Sequence, residues 1–546
     1  MLRADPTSTR KTLPPLRRLL CTPRLLALIG IALTAFLLPA CGGASSSKGR
    51  LAFKSAESQK LPDEANPEFN TAAYDRIIDN PFLAAKDNPL STFSIDVDTA
   101  SYSNARKFLS EGKLPPKDAV RVADFINYFH YDYPQPQGEH PIALHADVAG
   151  CPWDDEHRLV RIGLQGKRIE TEKLPPRNLV FLIDVSGSMN APNRLPLVQK
   201  GLSLLVEQLT AQDRVAIVVY AGDAGLRLPA TPGDQKLKIM RAVNGLSANG
   251  STNGGEGIVQ AYRVAQESFI KDGVNRVILA TDGDFNVGVT NQGDLLRLIE
   301  EKRKSGVYLT VLGFGMDNLK DSTLEKLADK GAGHYAYIDS LDEARKVFVE
   351  DGAALVTIAK DVKVQVEFNP AQVSAYRLIG YENRLRRAED FNDDEDAATP
   401  MGAGHTVTAL YEIVPVGKKI NIPGVDPLKY QKPGDHTPAA GNGEVLTVKV
   451  RYKEPREDAS KLLTHALKDT GLAFDKASSD FRFAASAAAF GMLLRDSSYK
   501  GSATYTDVRA MAEKAHGPEA HDAHRDEFLK LVETAEKLAR HERGRD

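Results

Sequence analysis

Cysteine is scarce: Cys21, Cys41 and Cys151 are the only three in 546 residues. Charge of one sign is also missing in surplus, because 70 basic side chains face 73 acidic ones, for a formal net charge of -3. Nothing in that balance draws the chain to nucleic acid or another polyanion. The usual catalytic signatures are absent as well: there is no G-x-S-x-G elbow, no P-loop, no H-E-x-x-H helix and no cysteine with an evident histidine partner. The chain is therefore expected not to be an enzyme. What is present is an ordinary globular composition, 42% hydrophobic and 26% charged, which excludes disorder over most of the length. A chain this long has room for several cores, each typically of about 100–200 residues.

Two of the cysteines lie in an N-terminal targeting segment. Arg17, Arg18 and Arg24 precede the apolar run Leu25 to Leu38, which is broken only by Gly30 and Thr34. That run has the length of a signal-peptide core and is short of the roughly 20 residues a transmembrane helix needs. It ends in Leu38-Pro39-Ala40-Cys41-Gly42, which resembles the lipobox of bacterial lipoproteins. The resemblance implies cleavage before Cys41, with lipidation of its thiol and a lipid anchor in the membrane; a signal anchor is the alternative. Only Cys151 then remains in the folded part, so no intramolecular disulfide can form. Localisation in the bacterial cell envelope follows, and Gly42, standing where an aspartate would favour inner-membrane retention, points to the outer membrane or periplasmic side.

Composition and periodicity divide the rest. Residues 1–40 form the signal peptide and 41–90 a polar, proline-punctuated tether. Residues 91–170 carry helices near Tyr102–Leu109 and Asp118–Phe129 and strands at Ile142–Val148 and Leu159–Leu164. Across 177–350, apolar strands (Leu179–Ile183, Val215–Tyr220, Val277–Ala280, Tyr308–Phe314, Tyr335–Ile338) alternate with amphipathic helices, the pattern of an α/β fold with a doubly wound, mostly parallel sheet. In 351–455 the period returns to two, in Val362–Phe368, Val407–Val414 and Val445–Val450. Residues 456–546 are alanine-rich and expected to be helical. Two N-side strands bury a sheet face poorly alone. The α/β unit is therefore expected to be inserted in a β-rich sandwich built by both flanks, with helices at the C-terminus.

The chemistry concentrates at the carboxyl ends of the α/β strands, where open sheets present their binding loops. The first strand runs into Asp184-Val185-Ser186-Gly187-Ser188; two further loops carry Gly250-Ser251-Thr252-Asn253 and Thr281-Asp282-Gly283. Carboxylates and neutral hydroxyls suit a small hard cation. Asp184 and Asp282 balance the charge of one divalent ion, leaving a position that a carboxylate from a partner can fill.

Asp184-x-Ser186-x-Ser188 with Thr252 and Asp282 resembles the metal-ion-dependent adhesion site of von Willebrand factor A (VWA) domains. The resemblance implies Mg²⁺ or Mn²⁺ on these five residues and a protein ligand that offers an acidic side chain. The flanking stretches 91–99, 376–383 and 402–407 resemble a bacterial lipoprotein subfamily with an embedded VWA domain, and the likeness spans roughly residues 80 to 500. The function expected is metal-dependent binding of a protein partner. A structural envelope lipoprotein whose metal only stabilises the fold is the alternative, ahead of a metal-assisted hydrolase.

Other signals have simpler readings. Asp96 and Asp98 are expected to cap the helix that follows. The acidic run 392–396 lacks an EF-hand's glycine and distal glutamate in register and reads as a solvated loop. His516, His521 and His524 read as a solvated helix face rather than a transition-metal site, and Trp153 as a buried anchor.

Overall fold

The computed structural model describes residues 72–221, 224–249, 254–283, 292–316, 319–420, 422, 429, 437–516 and 522–543. The expected signal peptide, Cys41 and the start of the tether lie outside them.

Three sheets organise the described residues. The central one has six strands in the order Tyr335–Tyr337, Tyr308–Gly313, Val274–Thr281, Arg177–Asp184, Arg214–Tyr220, Ala224–Pro232. All neighbours are parallel except the last pair. The middle strands read as continuous apolar runs because both faces are covered. On one side Val198, Leu202 and Leu205 of helix Leu195–Glu207 share a core with Phe181, Ile183 and Ile217; on the other, Ile258 and Tyr262 of helix Gly254–Glu267 share one with Leu182, Val218 and Leu279.

The other two sheets face each other. One has the order Leu83–Ala84, Val373–Ile379, Thr406–Pro415, Asp154–Gly166, Ile142–Cys151; the second runs Leu385–Arg386, Leu90–Ser94, Thr357–Phe368, Glu444–Lys453, Ser460–Lys468. Phe93, Val160, Ile162, Val364, Val366, Val407 and Val448 share one core between them. Each sheet mixes the two flanks: Ile162 pairs with Ala409 in the first, Phe93 with Val364 in the second. The α/β unit is thus inserted into a sandwich made from both sides, as expected. Its two ends are clasped by one dipeptide, since Gly404 N donates to Lys167 O at 3.0 Å and Ala403 N to Val356 O at 2.8 Å.

The C-terminal helices Ser479–Leu494, Tyr505–His516 and Ala523–Arg543 pack with the N-side helix Val122–Asn127 around Tyr102, Phe125, Phe129, Phe483, Phe490 and Phe528. Trp153 is buried in this cluster, as the anchor reading expects.

The structure also corrects several expectations. The chain is built into the fold from residue 72, well before the expected end of the tether at 90: Leu83–Ala84 adds an edge strand to Val373–Ile379, and Asn80 Nδ2 donates to Leu378 O and Gly380 O at 3.1 and 2.8 Å. The second N-side helix is only Val122–Asn127, preceded by a single 3₁₀ turn. Residues 460–468, expected to be helical, form a strand, because the exposed edge of Glu444–Lys453 offers a full ladder of partners. Asp96 and Asp98 do not cap the helix Ala100–Ser110, whose first turn is met instead by Asp124 Oδ2, accepting from Ser101 N at 2.9 Å. Asp98 accepts from Tyr335 N and from Arg384 Nη2, each at 2.6 Å, and so joins both flanks to the inserted unit. The run 392–396 is braced rather than freely solvated, with Lys363 Nζ donating to Asp393 O at 2.6 Å and Arg386 Nη1 to Asp396 Oδ1 at 2.9 Å. Of the three histidines, His524 contacts Glu350 at 3.2 Å; His521 and the His516 side chain lie outside the description.

Candidate metal centre

The strand Arg177–Asp184 is buried along its whole length and delivers Asp184 to the carboxyl edge of the central sheet. There the chain turns because Ser186 N donates to Asp184 Oδ1 at 2.9 Å, an Asx-type closure that starts the short 3₁₀ helix Gly187–Asn190. The turn brings the hydroxyls of Ser186 and Ser188 to 3.0 Å from each other.

The second carboxylate oxygen of Asp184 is fixed from neighbouring strands. Tyr220 OH donates to Oδ2 at 3.1 Å and Thr281 Oγ1 at 3.2 Å. The Thr281 hydroxyl also accepts from Gly283 N at 3.2 Å. Gly283 takes φ +99, a conformation that favours glycine, and this tight turn holds Asp282 between them. A third loop approaches from the other side, where Asn249 N donates to Val185 O at 2.7 Å. Thr252, farther along that loop, lies outside the described residues.

Asp184 and Asp282 are both 0% exposed, and Ser188 is half-buried. Burial pushes the Asp184 carboxyl up to about 6, with the nearby Asp282 adding to the rise and the Ser186 and Tyr220 hydrogen bonds opposing it. The positive charge at hand is Arg194, just before the helix Leu195–Glu207. Its Nη1 lies 3.3 Å from Asp282 Oδ2 and donates to Ser188 O at 2.6 Å. The guanidinium thus lies against the buried Asp282 carboxylate. Two buried carboxylates and two hydroxyls form a donor set that suits a hard divalent ion. No cluster of three or more histidine, cysteine or acidic ligands occurs among the described residues, so a soft-metal site of that kind is not among them.

Four of the five residues singled out in the sequence are therefore brought to one edge. Tyr220, Thr281 and Arg194 complete the arrangement without having been singled out. Thr281, adjoining Asp282, could have been found from the Thr-Asp-Gly run, whereas Arg194 carries no local signal.

Fold and site together define the class. Residues 178–350 match the von Willebrand factor type A domain, the N-side flank matches the family described as von Willebrand factor over 68–161, and 353–538 match the C-terminal domain of the uncharacterized protein YfbK. The chain is 42% identical to YfbK of Escherichia coli (strain K12) over 492 residues, covering 89% of this chain and 84% of that one. It belongs to this family of VWA proteins. Human inter-alpha-trypsin inhibitor heavy chain H4 is 29% identical over 188 residues, which cover 33% of this chain and 19% of that protein. Among solved structures, von Willebrand factor type A from Catenulispora acidiphila aligns with 73% of this chain and 91% of its own, at 17% identity and a TM-score of 0.41.

Proposed function

We propose that the chain is a cell-envelope lipoprotein that holds Mg²⁺ or Mn²⁺ on Asp184, Ser186, Ser188, Thr252 and Asp282 and grips a protein partner through that ion. One observation carries the reading: two fully buried carboxylates and two hydroxyls from separate loops meet at the edge where open sheets bind ligands. Membership of a VWA family supports a protein partner, and the hydroxyl-rich donor set supports an acidic side chain from that partner as the last ligand. The bound ion supplies a positive attachment point; the chain's own residues orient it and keep water from the carboxylates. The arginine-flanked apolar run and the lipobox support an anchor at Cys41, and Gly42 after it favours the outer membrane.

Affinity capture from envelope extract tests this reading. Partners retained with Mg²⁺, lost with chelator and lost with Asp184→Ala are expected. Equal capture with and without chelator by an ion-loaded protein would leave the metal a structural part only.

A further inference from the structure

Residues 72–78 cross the surface of the inserted unit before the chain enters the sandwich at Asn80. None of them is fully buried, whereas Asn80 is. Their attachments follow one another along the chain. Ala73 N donates to Leu319 O at 3.0 Å, Asn104 Nδ2 to Tyr74 OH at 2.9 Å, Lys326 Nζ to Asp75 Oδ2 at 2.7 Å and Ile77 N to Asp118 Oδ1 at 3.0 Å. Lys326 and Asp75 are both exposed, and ion pairs of that kind contribute little.

Beneath this strap lies a cavity of about 430 Å³, lined by Ile77 and Ile78 on one side and by helix Asp321–Lys330 of the inserted unit on the other. A set of ion pairs lines it as well. Arg121 from the N-side flank pairs with Asp321, and Arg384 from the C-side flank pairs with Asp329 at 2.6 Å. Glu325 lies 3.6 and 3.8 Å from the two guanidiniums. Both flanks therefore hold the same helix. Tyr74 lies close to the first pair: burial pushes its phenol up to about 12, with the Asn104 bond opposing the rise and the charge of Asp321 adding to it. The strap also meets the loop behind the candidate metal centre. Its acceptor Leu319 is 0% exposed, and in the same loop Phe314 N donates to Thr281 O at 2.9 Å.

We propose that residues 72–78 are a releasable strap that sets how firmly the inserted unit is held by its flanks. Closed, the strap limits the water that reaches Arg121, Asp321, Glu325 and Arg384. Open, it admits water to them, and the screened pairs hold helix Asp321–Lys330 and the loop leading into it weakly. An exposed segment with few attachments opens by itself, while the sandwich and the central sheet stay folded. Neither a bound ion nor a lipid anchor is required for this.

The experiment is hydrogen–deuterium exchange of the full chain at about 0.1 M and about 1 M salt, the range over which exposed charges become screened. In the wild type, exchange in Asp321–Lys330 is expected to change little with salt. Tyr74→Ala combined with Asp75→Ala should raise that exchange at least about tenfold and make it salt-dependent, as follows once water reaches the pairs. Exchange in Arg177–Asp184 and Thr357–Phe368 should stay as in the wild type. Ala73→Pro, which removes the donor to Leu319 O, is added if the strap amides of the double variant remain protected. Unchanged exchange in Asp321–Lys330 once the strap amides are exposed overturns the proposal. So does a rise shared equally by Arg177–Asp184 and Thr357–Phe368, which marks a general loss of stability and no local release.

Discussion

Asp184 sets the scale of a single residue. Its carboxylate is buried, so Asp184→Ala removes a buried charge and leaves only a small void in an otherwise packed strand. Loss of measurable Mg²⁺ binding with the fold retained is the expected result, read by calorimetry beside far-UV circular dichroism. Undiminished binding would contradict the assignment. Asp184, Ser186, Ser188 and Asp282 were legible because each sits next to a strand of unmistakable hydrophobicity and keeps its place in a short motif. Arg194 was not, because the residues between it and Asp184 are bend, 3₁₀ helix and turn. Only the folded loop reveals that its guanidinium returns to Asp282.

At the scale of elements, the helix Ala100–Ser110 ties the N-side flank to the inserted unit and the C-terminal helices. Arg106 donates to Asp339 Oδ1 at 2.6 Å and Glu343 Oε2 at 2.7 Å, both nearly buried, and to Glu527 Oε2 at 2.9 Å. Arg106→Ala leaves two buried carboxylates without their cation, and a loss of about 3–5 kcal/mol is expected in denaturant unfolding. A loss below about 1 kcal/mol would show that water replaces the guanidinium there. Elements of this kind were partly readable. The buried parallel strands stand out as apolar runs, but the antiparallel edge Ala224–Pro232 does not, since five of its nine residues are exposed and it contains two prolines. Ser460–Lys468 escapes a reading of the sequence for a related reason: its burial alternates, but its residue types do not, since Leu462 is half-exposed beside the less exposed Leu463, and its place is set by the neighbour it pairs with.

At the scale of the molecule, the joint between inserted unit and sandwich contains two histidines. The rings of His334 and His405 lie 6.4 Å apart. Burial pushes His334 down to about 3, helped by the positive charges of Arg276 and Lys346. Burial likewise pushes His405 down to about 4, with His130, Lys346 and Arg276 adding to the effect and Asp351 opposing it. An unfolded chain takes up these protons near 6.5, before the folded protein does, so their contribution to stability is complete above that pH and declines as pH falls toward 4. The melting temperature is expected to fall over this window, and His405→Gln to fall less steeply by differential scanning calorimetry. Parallel curves would exclude a role for this pair. The anchor proposed at Cys41 is tested at the same scale: Cys41→Ser is expected to release the protein into the soluble envelope fraction or leave it unprocessed, as judged by fractionation and lipid labelling.

The clasp of Ala403 and Gly404 across the two ends of the insertion has a mechanical consequence. Tension applied at the Asp184–Asp282 edge travels through the central sheet and leaves it at Lys167 and Val356, side by side. From there it enters Asp154–Gly166 and Thr357–Phe368, each flanked on both sides by hydrogen-bonded partners. Those ladders lie across the strands, so a lengthwise pull loads many bonds together in shear instead of peeling them one at a time. The sandwich is thus arranged to bear traction applied at that edge, with the force divided between one strand of each of its two sheets.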